Sequence, residues 1–83
     1  MNAFTSGRIR HVSARNRPIP ARQLIERAPY RESGTRLLME ALAARGNRAE
    51  ALVAFDALRR RLRDDLGSAP SPETQELHRR LLG

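Results

Sequence analysis

Within the run ALAARGNRAEALVAF, Ala41 to Phe55, one apolar helical pattern stops and another starts with little more than Gly46 and Asn47 between them. Glycine takes the left-handed conformation that ends a helix, and asparagine is suited to cap the next one. So short a link forces the two helices antiparallel, and the small side chains of Ala51 and Ala54 permit close approach near the turn. The feature that most restricts this chain is therefore the corner of a tight helical hairpin.

The flanking residues extend the pattern. Upstream, the spacing predicts a helix over about Glu32 to Arg45, with Leu37, Leu38, Met39, Ala41, Leu42 and Ala44 covering more than one face, so that it expects neighbours on two sides. Glu32–Arg36 and Arg36–Glu40 are i,i+4 pairs expected on the face left in water. Downstream, a helix over about Arg48 to Leu66 places Ala51, Leu52, Phe55, Leu58, Leu62 and Leu66 on one stripe at three- and four-residue steps, with Glu50, Asp56, Arg60, Arg61, Asp64 and Asp65 off it. Gly67 closes this helix. Ser71 as cap and Pro72 at the first helical position then start a third, about Pro72 to Leu82, with Leu77 and Leu81 on the face that packs across the hairpin. A short helical turn is expected around Ala21 to Arg27, ending before Ala28-Pro29 because the residue preceding a proline avoids the α region.

The N-terminal segment behaves differently. Residues 1–31 carry seven arginines against a single acid, a net charge of +6, whereas residues 32–83 carry nine arginines against eight acids, a net charge of +1. Residues 1–23 show no sustained periodicity and contain Pro18 and Pro20, the composition of an arm that buries too little apolar area to offset its ordering entropy. Arg8, Arg10, Arg15, Arg17 and Arg22 are the residues such an arm would use to contact phosphates, by counterion release.

Composition excludes several classes. The chain has 83 residues and no cysteine, so neither a disulfide framework nor a thiolate metal site can staple it, and its two histidines are isolated. No apolar run approaches the roughly 18 residues of a membrane span, and the N-terminus lacks the apolar centre of a signal peptide. A soluble cytoplasmic protein is the expectation. Without a cysteine nucleophile, a glycine-rich phosphate loop or paired histidines at metal spacing, no enzyme and no cofactor are expected.

The run PYRESGTRLLMEALAARGNRAEALVAFDALRRRLRDDLGSAPSPETQELHRRLL, Pro29 to Leu82, resembles the C-terminal part of the bacterial transcriptional activator domain of Streptomyces antibiotic regulatory protein type regulators. The likeness rests on the YRES entry, on LLMEALAARGNRAEAL, and on the close LRDDLGSAPSPETQELHRRLL with Gly67, Pro70 and Pro72 in place. It implies an all-α fold: a tetratricopeptide-like helical hairpin plus a C-terminal helix. Residues 1–23 are then a mostly disordered basic arm, and residues 24–83 a partial activator domain. Ala51 and Phe55 fall where such repeats place a small residue and an aromatic; Leu58 and Arg63 depart from the repeat consensus. The family's winged-helix DNA-binding domain has no counterpart in residues 1–23, so the chain is expected to correspond to the tail end of a regulator.

Repeat hairpins bury their faces against neighbours and need about three units for stability. A partial array is therefore expected to leave Leu37, Met39 and Leu42, or Val53 and Phe55, partly exposed as an interaction face for a protein partner or a second copy of the chain. The reading is transcriptional regulation through protein–protein contacts, with nucleic acid bound weakly and without sequence preference through the arm, if at all. The alternative is a small nucleic-acid-binding protein acting through that arm. Other residues have plainer uses: Arg59 to Asp65 as a solvated helix face, His78 as a structural or exposed side chain, Tyr30 as an anchor for the start of the hairpin, and Met39 as core.

Overall fold

The hairpin corner forms as the glycine requires. Helix α2 (Glu32–Ala44) ends at Gly46, whose φ of 81° lies in the left-handed region. The Gly46 N–H donates to the Ala43 carbonyl at 3.0 Å and the Asn47 N–H to the Leu42 carbonyl at 2.8 Å, the paired bonds of a Schellman closure. Helix α3 (Arg48–Arg61) starts immediately afterwards. Asn47 does not cap it as expected. The closure leaves Asn47 at φ −100° and ψ 55°, outside the extended conformation from which a cap side chain reaches the first free N–H groups, and its side chain makes no capping bond.

The computed structural model describes residues 19–83. Helix α1 (Ala21–Arg27) precedes the hairpin and helix α4 (Pro72–Leu82) follows it; among the described residues there are no strands. The predicted arm lies for the most part outside the described residues, and its last three positions, Ala21 to Gln23, belong to the first turn of α1.

The predicted helix over Arg48 to Leu66 is not α-helical throughout. Its final turn, Leu62–Leu66, widens into a π-helical turn. The Ser68 N–H reaches back to the Leu62 carbonyl at 3.1 Å, and Gly67, at φ 63°, reverses the chain. Leu62 is buried, but Leu66 is 56% exposed although it continues the apolar stripe, because no other described helix packs on that turn.

Met39, Leu38 and Leu42 of α2, Ala51 and Phe55 of α3, and Leu77 of α4 form one buried cluster, with Ala21, Ile25, Ala54 and Leu81 packed at its margins. Helix α1 approaches α2 at Gly34, where an added methyl group would stand 3.2 Å from Leu24 Cβ and 3.3 Å from both the Ile25 backbone nitrogen and Cγ1. Helix α4 starts as predicted: Ser71 Oγ accepts the Thr74 N–H at 3.4 Å, and Pro72 occupies the first turn. No helix among the described residues is long and apolar enough to cross a membrane.

Candidate interaction surface

The residues expected to form an interaction face do not share one surface. Leu37 is 50% and Val53 68% exposed, but Met39 is fully buried, and Leu42 and Phe55 nearly so. The expected exposure of these three is corrected by the fold: α4 returns across the hairpin and adds Leu77 to their cluster, while α1 brings Ile25 to its margin. The chain covers its own hairpin from two directions. Leu37 and Val53 line different grooves, the first beside α4 and the second beside α1.

Of the candidate phosphate contacts, Arg8, Arg10, Arg15 and Arg17 lie outside the described residues. Arg22 projects from α1 and stands 4.0 Å from Glu50 of α3, with both side chains more than half exposed. An exposed pair at that distance holds its partners weakly.

The Glu32–Arg36 pair, expected in water, is instead the centre of a partly buried polar cluster between α2 and α4. Its two side chains are 19% and 23% exposed. The Glu32 carboxylate accepts from the Ser71 N–H at 2.9 and 3.1 Å, from Ser71 Oγ at 3.0 Å and from Thr74 Oγ1 at 2.5 Å. Arg36 donates to Thr74 Oγ1 at 2.9 Å and lies 3.7 Å from Glu73. Burial pushes the Glu32 carboxyl up, but the bonds from Thr74 and Ser71 and the Arg36 charge together hold it below the usual glutamate value. Among the described residues no buried side-chain nitrogen or oxygen lacks a hydrogen-bond partner. The cluster ties the starts of α2 and α4 together. The Ser71 cap was legible in the sequence; the distant carboxylate it serves was not.

A second tie holds the α1–α2 loop to the end of α3. Tyr30 Oη donates to Asp65 Oδ2 at 3.0 Å, and Arg61 donates to the Pro29 carbonyl at 3.0 Å. The hydrogen bond to Asp65, together with its negative charge, raises the Tyr30 hydroxyl above its ordinary pKa. Tyr30 anchors the start of the hairpin, as expected.

A groove of about 590 Å³ runs between the C-terminal half of α3 and α4 and is bordered by the loop before α4. Phe55, Pro70 and Leu82 contribute apolar lining, and Arg59, Arg63 and Arg79 stand along it. His78 stacks on Phe55, ring centroids 3.8 Å apart and planes inclined by 7°, which gives this histidine a structural role. The Gln75 side chain donates to the Pro70 carbonyl at 2.6 Å and fixes the closing loop. Arg59 and Arg60 both pair with Asp56, at 2.7 and 2.8 Å, and Arg63 pairs with Asp64 at 2.9 Å, so the RRRLRDD run is an ion-paired surface. A smaller groove of about 320 Å³ between α1 and α3 is lined by Ile25, Leu38, Val53 and Ala54, with Arg22 and Glu50 among its polar residues. Among the described residues no three His, Cys, Asp or Glu side chains group as metal ligands.

An all-α hairpin capped by a returning helix, with apolar grooves and no grouped metal ligands among the described residues, defines a small helical module. Residues 4–82 match the bacterial transcriptional activator domain family, and the chain belongs to that family. The match begins at residue 4, inside the segment expected to be an arm. The chain is similar to the regulatory protein AfsR of Streptomyces coelicolor, 48% identical over 54 residues that make up 65% of this chain and 5% of that protein. Likeness to the regulatory protein AfsR of Streptomyces griseus is 46% over 54 residues, 65% of this chain and 6% of that one. The chain thus corresponds to a small fraction of these relatives. No solved structure matches it.

Proposed function

We propose that the chain serves transcriptional regulation in the cytoplasm as a non-catalytic helical module that makes protein–protein contacts. The observation that carries this reading is the match to the activator-domain family across residues 4–82. The fold supports it: the apolar core is closed, and what remains at the surface is a set of grooves between helices, the form in which helical modules receive partner segments. Nucleic acid has a lesser part, weak and independent of sequence, through Arg8, Arg10, Arg15, Arg17 and Arg22.

The test is to fuse the full chain to a DNA-binding protein of known operator and measure transcription from a reporter carrying that operator in a bacterial host. The fusion is expected to change transcription severalfold relative to the DNA-binding protein alone, and serine at the five arginines is expected to leave that change in place. A fusion that leaves transcription unchanged refutes the reading. Loss of the effect with the five arginines would transfer the function to nucleic-acid binding.

A further inference from the structure

We infer that the groove between α3 and α4 receives an acidic, amphipathic segment of a partner protein. The inference rests on the interaction reading above and names its site and the chemistry of its occupant. Arg59, Arg63 and Arg79 line the groove together with Phe55, Pro70 and Leu82, and no carboxylate is among its lining residues. Leu82 is 56% exposed, which leaves a large apolar side chain uncovered at one end.

Among the described residues each arginine is paired with an acid of its own element: Arg59 with Asp56, Arg63 with Asp64 and Arg79 with Glu76, with the arginine side chains 43%, 58% and 69% exposed. Exposed pairs of this kind contribute little, so exchanging their acids for those of a partner costs little. Clustered guanidinium groups are suited to carboxylates, which they bind through paired N–H donors. The groove volume of about 590 Å³ falls in the range that holds a few side chains of a bound segment. The bond from Gln75 to Pro70 holds the closing wall in place before anything binds, which lowers the ordering cost of association.

The apolar lining favours a protein over nucleic acid. A DNA duplex would present phosphates to the arginines but leave the exposed Leu82 side chain uncovered. A helical segment with leucines on one stripe and acids beside it covers both.

The test titrates the full chain with a fluorescein-labelled helical peptide bearing leucines at i, i+3 and i+7 and glutamates alongside. A control peptide carries lysine in place of glutamate, and an unlabelled DNA duplex serves as competitor. The acidic peptide is expected to bind and the lysine peptide not to. The Arg59→Gln, Arg79→Gln double variant and Leu82→Asp are each expected to weaken binding by about tenfold or more, as for charge pairs and apolar anchors at interfaces. Gln23→Ala, exposed on α1 and away from the groove, is expected to leave binding unchanged, and circular dichroism checks that every variant remains helical. Equal binding of the two peptides, wild-type affinity in the groove variants, or displacement of the peptide by the duplex overturns the inference.

The operator-fusion reporter separates the two levels. If the wild-type fusion changes transcription and the groove variants change it equally, the groove inference fails and the interaction reading stands. A wild-type fusion without effect removes the interaction reading, and the groove inference with it.

Discussion

Replacing Glu32 by glutamine tests the polar cluster that joins α2 to α4. The carboxylate accepts hydrogen bonds from three groups, the Ser71 N–H, Ser71 Oγ and Thr74 Oγ1. Glutamine keeps the shape and one acceptor oxygen but turns an NH2 group toward donors, so that part of this set is lost. Hydrogen bonds to a charged group contribute about 1.5–3 kcal/mol each, and the burial cost of the carboxylate, which glutamine escapes, offsets part of the loss. The net is a destabilisation of about 2 kcal/mol at neutral pH, or about 10 °C in Tm for a domain of this size. Because Glu32 is held below its usual pKa in the folded chain, its stabilisation is fully present above the unfolded-state value and is lost as pH falls through the folded-state value. Thermal unfolding followed by circular dichroism, on wild type and Glu32→Gln in parallel, should therefore show a Tm gap at neutral pH that closes as pH falls through the lowered folded-state value of Glu32. Other carboxylates, Asp56 among them, titrate in both proteins and cancel in the difference. A gap that persists unchanged in acid would refute the assignment of the effect to the ionised carboxylate.

Three further perturbations address separate parts of the fold. Gly34→Ala is expected to destabilise by about 1 kcal/mol in urea unfolding: a better helix former gains up to about 1 kcal/mol, but contact with the Ile25 backbone nitrogen cannot be relieved without moving α1, and overpacking costs about 1–3 kcal/mol. Increased stability would show that α1 yields freely. Gly46→Ala meets no atom within 4 Å, so its expected loss of about 1–2 kcal/mol comes from the left-handed backbone alone, and an unchanged urea midpoint would contradict that. Tyr30 is the single tyrosine of the chain, which makes its ultraviolet titration unambiguous. Its ionisation should occur above the ordinary tyrosine range and fall toward it in Asp65→Asn, and an unaltered titration would remove the hydrogen bond to Asp65 from the account.

What was legible in the sequence was local. The Gly46 closure, the Ser71–Pro72 start and the three-and-four stripe of α3 are each decided by residues within about one helical turn of one another, and each appears close to where the pattern predicts it. What was not legible joins residues far apart along the chain. Glu32 and Arg36 read as a water-facing i,i+4 pair because nothing near them shows that α4 returns to bring Ser71 and Thr74 against them. Met39, Leu42 and Phe55 read as an unpartnered face for the same reason, since Leu77, which joins their cluster, is more than 20 residues away. The arginine groove is assembled the same way, from residues far apart along the chain. Arg59 and Arg63 read as part of a solvated helix face, and each of Arg59, Arg63 and Arg79 has an acid of its own element beside it. They line one apolar groove because Gly67 reverses the chain and the 68–70 loop, fixed by Gln75, lays α4 beside α3. A surface created by that reversal has no sequence period of its own, so a search for function along single helices passes over it.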